Sequence, residues 1–197
     1  MQLILSSAAL PSASPATVCR GARERSLAGV EWVVRGRAAE DRAASPSEGG
    51  EEDLRRIAGG DDASTADQLY WGRQAHLCGA GLVLRAPVEE ASLCVPLALQ
   101  HGSDVAAAER AASWAQTHDA QTCWTVEVGT ISADRVAAVL EATRPTLAHV
   151  RLRGAGPETE ESGGDGTSAL FKALALRGYS GTVALAPSAR GTGGAWR

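Results

Sequence analysis

Short runs of apolar and β-branched residues alternate along the chain with longer segments in which apolar residues recur every three or four positions. The short runs predict strands and the longer segments predict helices. The predicted strands are Gln2–Ser6, Val30–Val34, Leu82–Arg85, Leu93–Gln100, Cys123–Val128, Leu147–Leu152 and Thr182–Ala186. Pro96 indicates that the first half of the fourth of these strands is irregular.

Residues that commonly cap helices stand before the amphipathic segments. The predicted helices start after Ser14, Ser64, Ser103 or Asp104, Ser132 and Thr167, and they end near Leu27, Leu77, Thr117, Thr143 and Leu176, the last one covering Ala169–Leu176. Strands that alternate with helices of about 10 to 15 residues are typical of parallel βα units. Seven strands fit either a doubly wound sheet or a (β/α)₈ barrel that lacks one strand, and periodicity leaves both open.

The pattern is interrupted between Gly36 and Ala63. Gly36–Gly50 is rich in Ala, Ser, Gly, Pro and charged residues and has no apolar periodicity, which predicts a mobile loop. Order resumes weakly at Glu51–Ala58 before a further loop. No glycine-rich phosphate-binding motif follows the first strand, which argues against a nucleotide-binding Rossmann or P-loop domain.

The composition is typical of a single globular domain. The chain has 197 residues, of which 44% are hydrophobic and 21% charged, enough apolar material for one core. The net charge of −4 excludes a strongly basic nucleic-acid-binding protein, and no apolar run approaches the roughly 20 residues that cross a bilayer. The four cysteines form no CxxC pair, and the N-terminus lacks the basic region of a signal peptide. We therefore expect a soluble, cytoplasmic protein that binds neither nucleic acid nor membranes.

An ordered series of motifs in the C-terminal half resembles the end of a known barrel. The series is AHVRLRG at Ala148–Gly154, GGDG at Gly163–Gly166, LFKAL at Leu170–Leu174 and RGYSGTVALAP at Arg177–Pro187. Its order and spacing resemble those of the sugar phosphate isomerases and epimerases of the xylose isomerase-like TIM-barrel family. Three further strand motifs of that family resemble Leu27–Glu31, Pro96–Gln100 and Val126–Thr130. The resemblance implies a small, degenerate (β/α)₈ TIM-type barrel over residues 1–197, with the third strand weak or missing.

The resemblance also implies a metal site, and this sequence departs from it. Members of the family commonly hold one divalent metal ion with Glu, Asp, His and Glu at the ends of four strands. By motif, these positions fall at Gln100, Glu127, Arg151 and Ala186. Only Glu127 is anionic, while Arg151 carries a fixed positive charge that repels a cation. His149 lies roughly 6–7 Å deeper on the same strand and is a poor substitute, so we expect neither a metal ion nor another cofactor.

Strand alternation places His149, Arg151 and Arg153 on one face of their strand, and that face is expected to point into the barrel. The same alternation places Glu127 on the inner face of the preceding strand. We expect Arg151 to pair with Glu127 where the metal ion would lie. This ion pair either stabilises a retired site or belongs to a cationic mouth that binds an anion.

The reaction that the resemblance implies is proton transfer next to a carbonyl group, carried out with two acidic residues. On this basis the candidate catalytic residues are Glu127, Glu31 and His149. His101 is a further candidate acid or base, although a histidine at this kind of position is more often an exposed loop residue.

Three hypotheses about function stay open. The first is a diverged, metal-free isomerase or epimerase-like protein that binds a small anionic ligand, a sugar phosphate or a carboxylate. Its candidate binding residues are Gln100, Arg151, Arg153 and Arg85, with Arg35 at another strand end. The second is an inactive barrel that serves as an interaction module, and the third is a metal-dependent sugar isomerase with relocated ligands. The expected partner is a small anionic or sugar molecule, and a homo-oligomer is compatible with the sequence.

Overall fold

Eight parallel strands close into a barrel, pairing in chain order from the first to the last. The computed structural model describes residues 1–9, 13, 15–33, 54–58, 65–87, 95–127, 131–154 and 164–186. The strands are β1 (Gln2–Ser6), β2 (Val30–Val33), β3 (Leu54–Ala58), β4 (Gly81–Leu84), β5 (Leu97–His101), β6 (Gln121–Glu127), β7 (Leu147–Arg153) and β8 (Thr182–Ala186). The pairing of β1 with β8 closes the barrel.

Within the described ranges, five helices follow strands of the barrel. They are α1 (Pro15–Glu24), α2 (Thr65–Leu77), α3 (Val105–Thr117), α4 (Ala133–Ala142) and α5 (Gly164–Leu176). The predicted caps Asp104 and Ser132 accept hydrogen bonds from backbone amides at 2.8 and 3.3 Å, at the start of α3 and α4. The architecture confirms the TIM-type α/β barrel. None of the helices in these ranges has the length and hydropathy needed to cross a membrane.

The main core lies between the outer faces of the strands and the helices. Leu5 and Val30 pack against Val18 and Ala22 of α1, and a larger cluster around Trp124 joins β6, β7 and β8 to α4 and α5. Each fully buried aliphatic or aromatic side chain of this kind contributes about 1.5–3 kcal/mol. This core holds the strand ends in fixed positions, and the functional side chains extend from those ends.

The centre of the barrel is lined by small side chains. Ala58, Val83, Ala98 and Cys123 form one buried cluster on four successive inner strand faces. Because the interior of an eight-stranded barrel is filled by side chains, small residues at these four positions leave room for long polar side chains from other inward-facing positions.

The third strand differs from the sequence-based prediction, which was wrong here. β3 pairs with both β2 and β4, so the barrel has eight strands and none is missing. The segment is a weak strand by pattern because two arginines interrupt its apolar run. Arg55 is exposed and donates to the carbonyl of Ala28 at 3.0 Å, whereas Arg56 directs its guanidinium toward Gly81. The pairing of β2 with β3 also contains a register shift, which disturbs the expected alternation.

The last helix starts earlier than predicted. It includes Gly164–Gly166. The sequence predicted a loop here because glycine has a low helix propensity. The hydroxyl of Thr167 is buried without a hydrogen-bond partner, so this residue does not cap the helix as expected. The predicted mobile loop Gly36–Gly50 lies outside the described residues, as does Arg35.

Candidate functional site in the barrel interior

Four polar side chains meet inside the barrel near the carboxyl ends of the strands. Glu31 comes from β2, Gln100 from β5, and His149 and Arg151 from β7. Glu31 and His149 are completely buried, and only 7% of the Arg151 side chain is exposed. The neighbours of these residues on each strand face the helices, so strand alternation turns the four polar groups inward, as predicted for His149 and Arg151.

A buried ion pair between Glu31 and Arg151 is the centre of this group. The Nε of Arg151 lies 3.1 and 3.0 Å from the two carboxylate oxygens of Glu31, and its Nη2 lies 2.6 Å from Oε1. The Nη1 of Arg151 donates to the amide oxygen of Gln100 at 3.0 Å. Two-point contact between a planar guanidinium and a carboxylate is among the strongest polar interactions in proteins. The guanidinium is thus held from both β2 and β5.

His149 connects the group to the neighbouring strand β8. Its Nε2 lies 2.8 Å from Glu31 Oε1, and its Nδ1 lies 2.7 Å from the hydroxyl of Thr182. A carboxylate only accepts hydrogen bonds, so Nε2 carries the proton and Nδ1 accepts from Thr182. Burial lowers the pKa of His149, which keeps the ring neutral. We call the connected residues Thr182, His149, Glu31, Arg151 and Gln100 the interior network.

The charge state of Glu31 follows from its partners. Burial alone raises the pKa of this carboxyl group, but the positive charge of Arg151 and the hydrogen bond from His149 outweigh it. The pKa of Glu31 is therefore held well below its ordinary value, and the carboxylate is ionised. Such a carboxylate is a weak base. With His149 neutral, the interior network carries one negative and one positive charge.

The ion pair expected between Arg151 and Glu127 takes a different form. Arg151 is bound to Glu31, whereas the Oε1 of Glu127 lies 3.4 Å from the Nε of Arg153. The register of β6 and β7 places Thr125 beside Arg151 and Glu127 beside Arg153. The pair of Glu127 and Arg153 is about half exposed, at the rim of the barrel. The expected partner was wrong because closure of the barrel brings β2 across from β7.

Two other predicted positions, Ala186 and Arg85, lie elsewhere. Ala186 is level with Arg153, and Ala184 is the β8 residue beside Arg151. Arg85 directly follows β4 and is half-buried. Neither alanine brings a polar group to the interior network.

His101 is neither an exposed loop residue nor a member of the interior network. It is the last residue of β5, is 6% exposed and faces away from Gln100, toward the helices. Its Nδ1 lies 2.8 Å from the carbonyl of Gly102 and therefore donates to it, while its Nε2 is buried without a partner. Burial lowers the pKa of His101.

Two polar residues of the interior were not among the sequence-based candidates. Thr182 orients His149, and the signal for it was its position level with His149 on neighbouring predicted strands. Arg56 projects into the barrel below the interior network, and its Nη2 lies 3.5 Å from Gln121 Oε1. Its Nη1 is buried without a hydrogen-bond partner. Arg56 could be predicted to face the interior only if Leu54–Ala58 was predicted to be a strand.

The interior network does not fit the divalent metal ion that the family resemblance implies. A cation bound to Glu31 would lie beside the guanidinium of Arg151, at a distance where like charges repel strongly. Both ring nitrogens of His149 already have partners. Among the described side chains, no group of three or more His, Cys, Asp or Glu residues is placed to hold a metal ion.

Comparisons with known proteins agree with the fold. No family model and no curated protein matches this sequence. Among solved structures, the chain is similar to apo 3-keto-D-glucoside 4-epimerase, YcjR, from E. coli, with 16% identity and a TM-score of 0.64 over 98% of this chain and 94% of that chain. A D-psicose 3-epimerase from Clostridium cellulolyticum H10 aligns with 14% identity and a TM-score of 0.41 over 95% and 75% of the two chains. The likeness to the E. coli protein shows that the two chains share one fold.

Proposed function

We propose that this protein is a diverged, epimerase-like barrel that binds a small anionic sugar derivative without a metal ion. The observation that carries the proposal is the guanidinium of Arg151, fixed by Glu31 and Gln100 at the position where the family resemblance implies a metal ligand. Active sites of TIM barrels lie at the carboxyl ends of the strands. The ligand class is a sugar that carries a phosphate or a carboxylate group.

The balance of charge inside the barrel favours an anion. The described inward-facing groups include two guanidiniums, of Arg151 and Arg56, and one buried carboxylate, of Glu31. At the rim, Glu127 and Arg153 compensate each other. Counted over the described side chains, the interior therefore carries one excess positive charge, in an environment where charges are poorly screened. A negatively charged group of the ligand restores neutrality.

The candidate bases differ in their ability to accept a proton. The carboxylate of Glu31 is a weak base because Arg151 and His149 stabilise its ionised form. Both nitrogens of His149 are used within the interior network. Glu127 is the candidate whose carboxylate reaches solvent at the mouth. The proposal therefore assigns the binding of negative charge, including that of an enediolate, to Arg151 and proton transfer to Glu127.

Titration calorimetry with sugar phosphates and sugar carboxylates tests the proposal. The variants are Arg151→Lys, which keeps the charge but loses the planar fork, and the double variant Glu31→Gln with Arg151→Met, which removes both charges. Arg110→Met removes an exposed arginine of α3 and serves as the control. We expect the wild type and the control to bind one member of the panel, and the double variant to bind it about ten- to a hundredfold more weakly.

Two outcomes contradict the proposal. If the wild type binds no anion, or if the double variant folds by circular dichroism and binds with unchanged affinity, Arg151 is not a binding residue. The barrel is then better explained as an interaction module. If elemental analysis finds about one divalent metal ion per chain that is lost on Glu127→Ala, the protein is instead a metal-dependent enzyme with relocated ligands.

A further inference from the structure

A cavity of about 180 Å³ lies at the amino-terminal end of the barrel, away from the interior network. It is formed where α4 and α5 end, beside the residues that lead into β7 and β8. The interior network lies near the opposite, carboxyl ends of the strands. The cavity is therefore separate from the site proposed above.

The floor of this cavity is apolar. Leu140 and Leu174 are 2% and 1% exposed, and Leu147 is half-buried beside them. Tyr179 forms a wall, and its hydroxyl donates to the carbonyl of Thr182 at 3.0 Å. Because this hydroxyl is already used, the floor and the ring of Tyr179 supply the apolar part of a cavity whose remaining lining is polar.

The rim of the cavity consists of hydrogen-bond donors. Arg144 and Arg177 both line it, and none of its lining residues is acidic. The Nη2 of Arg177 lies 4.0 Å from Glu141 Oε2, at the outer limit of an ion pair, with 68% of the Glu141 side chain exposed. In the described part of the chain, neither the guanidinium of Arg144 nor the side chain of Ser180 has a hydrogen-bond or ion-pair partner. Two cationic side chains and a hydroxyl thus stand over an apolar floor in a protein of net charge −4.

We propose that this cavity is a binding site for a small organic anion with one apolar ring or short chain and one carboxylate or phosphate group. Its volume suits a single ring, since an apolar cavity of about 150 Å³ holds benzene. The leucine floor would cover the apolar body. The guanidiniums of Arg144 and Arg177 would bind the charged group, as arginine does for carboxylates and phosphates.

A purely structural role for the two arginines makes a different prediction. Each follows the end of a helix, where a positive charge interacts favourably with the helix dipole. That role explains the position of the charges but requires neither an apolar floor nor a cavity. It predicts no binding of aromatic anions at this end of the barrel.

Amide NMR spectra of the full chain distinguish the proposed binding site from a purely structural role of the arginines. Benzoate and phenyl phosphate are titrated, with inorganic phosphate and benzyl alcohol as probes that lack the ring or the charge. We expect at least one aromatic anion to shift the amide signals of Gly178 and Ser180 saturably. Inorganic phosphate and benzyl alcohol should each bind at least about tenfold more weakly, because each loses one of the two contributions.

Matched variants locate the site. Arg144→Gln and Arg177→Gln should each weaken binding of the aromatic anion by about tenfold or more. Arg135→Gln, at an exposed position near the start of α4, should leave it unchanged. The proposal is overturned if neither aromatic anion shifts Gly178 and Ser180, if a phosphate ion or the alcohol binds equally well, or if both arginine variants keep the wild-type affinity. Arg151 takes no part in this test, so its outcome is independent of the function proposed above.

Discussion

The ring of His149 lies between a hydroxyl and a carboxylate, and each of its nitrogens has one role. Glu31 fixes the proton on Nε2, and Thr182 supplies the proton that Nδ1 accepts. The ring is completely buried, so water does not replace either contact. The carboxylate of Glu31 therefore sets the tautomer of His149, and the hydroxyl of Thr182 on β8 satisfies the other ring nitrogen.

The first prediction concerns this hydroxyl. Thr182→Val removes it at nearly constant volume and leaves Nδ1 of His149 buried without a partner. We expect the free energy of unfolding to fall by about 1–3 kcal/mol, since this is the cost of a buried unsatisfied polar group. Urea denaturation measures the loss, and ¹⁵N shifts of the imidazole report the tautomer. Thr182→Ser keeps the hydroxyl and is the control; equal stability of the Val and Ser variants would show that the contact is unimportant.

The second prediction concerns the ion pair of Glu31 and Arg151. Glu31→Gln and Arg151→Met each leave one buried charge without its partner, and each should destabilise the protein by about 3–5 kcal/mol. The double variant should recover a large part of that loss, because no unpaired charge remains. A double-mutant cycle by urea denaturation measures the coupling. Losses that simply add would mean that the two groups do not depend on each other.

At the scale of elements, prediction from the sequence succeeded where a strand or helix carries its own signal. β1 and β8 have the predicted bounds because each has a clear apolar pattern. α2 ends at the predicted Leu77 because Gly79, which has a positive φ of 63°, follows it. β3 was missed because its inward residue is a guanidinium, which no period-two apolar pattern reveals. Its strand character comes from pairing with β2 and β4, a tertiary effect that local propensity does not contain.

The third prediction concerns the contact between β3 and β4. A Cβ atom at Gly81 would collide with the guanidinium of Arg56 and lie 3.1 Å from the carbonyl oxygen of Pro96. Gly81→Ala should therefore destabilise the protein by about 1–3 kcal/mol, the usual cost of overpacking. Gly102→Ala is the control, because a Cβ there meets no atom within 4 Å. Thermal unfolding measures both; an equal melting temperature for the two variants would contradict the role assigned to Gly81.

At the scale of the whole molecule, the candidate site was predicted only in part. Alternation along β7 sufficed to turn His149 and Arg151 inward, because the face of a strand is a local property. The partner of Arg151 was not accessible in this way. Glu31 is 120 positions away in the sequence and meets Arg151 only because the barrel closes. Glu127 lies on β6, the strand next to that of Arg151, but the register of β6 and β7 places its carboxylate beside Arg153.

The last prediction concerns the pH dependence of the folded barrel. Burial lowers the pKa of both His101 and His149 below the ordinary value of 6.5. At pH values between the lowered pKa of each histidine and 6.5, the unfolded chain therefore binds protons that the folded chain does not. The free energy of unfolding should therefore fall as the pH decreases below about 6.5, by up to about 1.4 kcal/mol per pH unit for each histidine. The pKa of Glu31 is also lowered, so a further loss begins below its ordinary value of 4.5.

Urea denaturation at pH 7.5 and 5.5 measures the first loss. His101→Leu removes one of the two titrating rings together with its unpartnered Nε2, so this variant should be as stable as the wild type at pH 7.5 and should lose less stability at pH 5.5. If stability is equal at the two pH values, or if His101→Leu loses as much as the wild type, His101 does not stay neutral in the folded barrel.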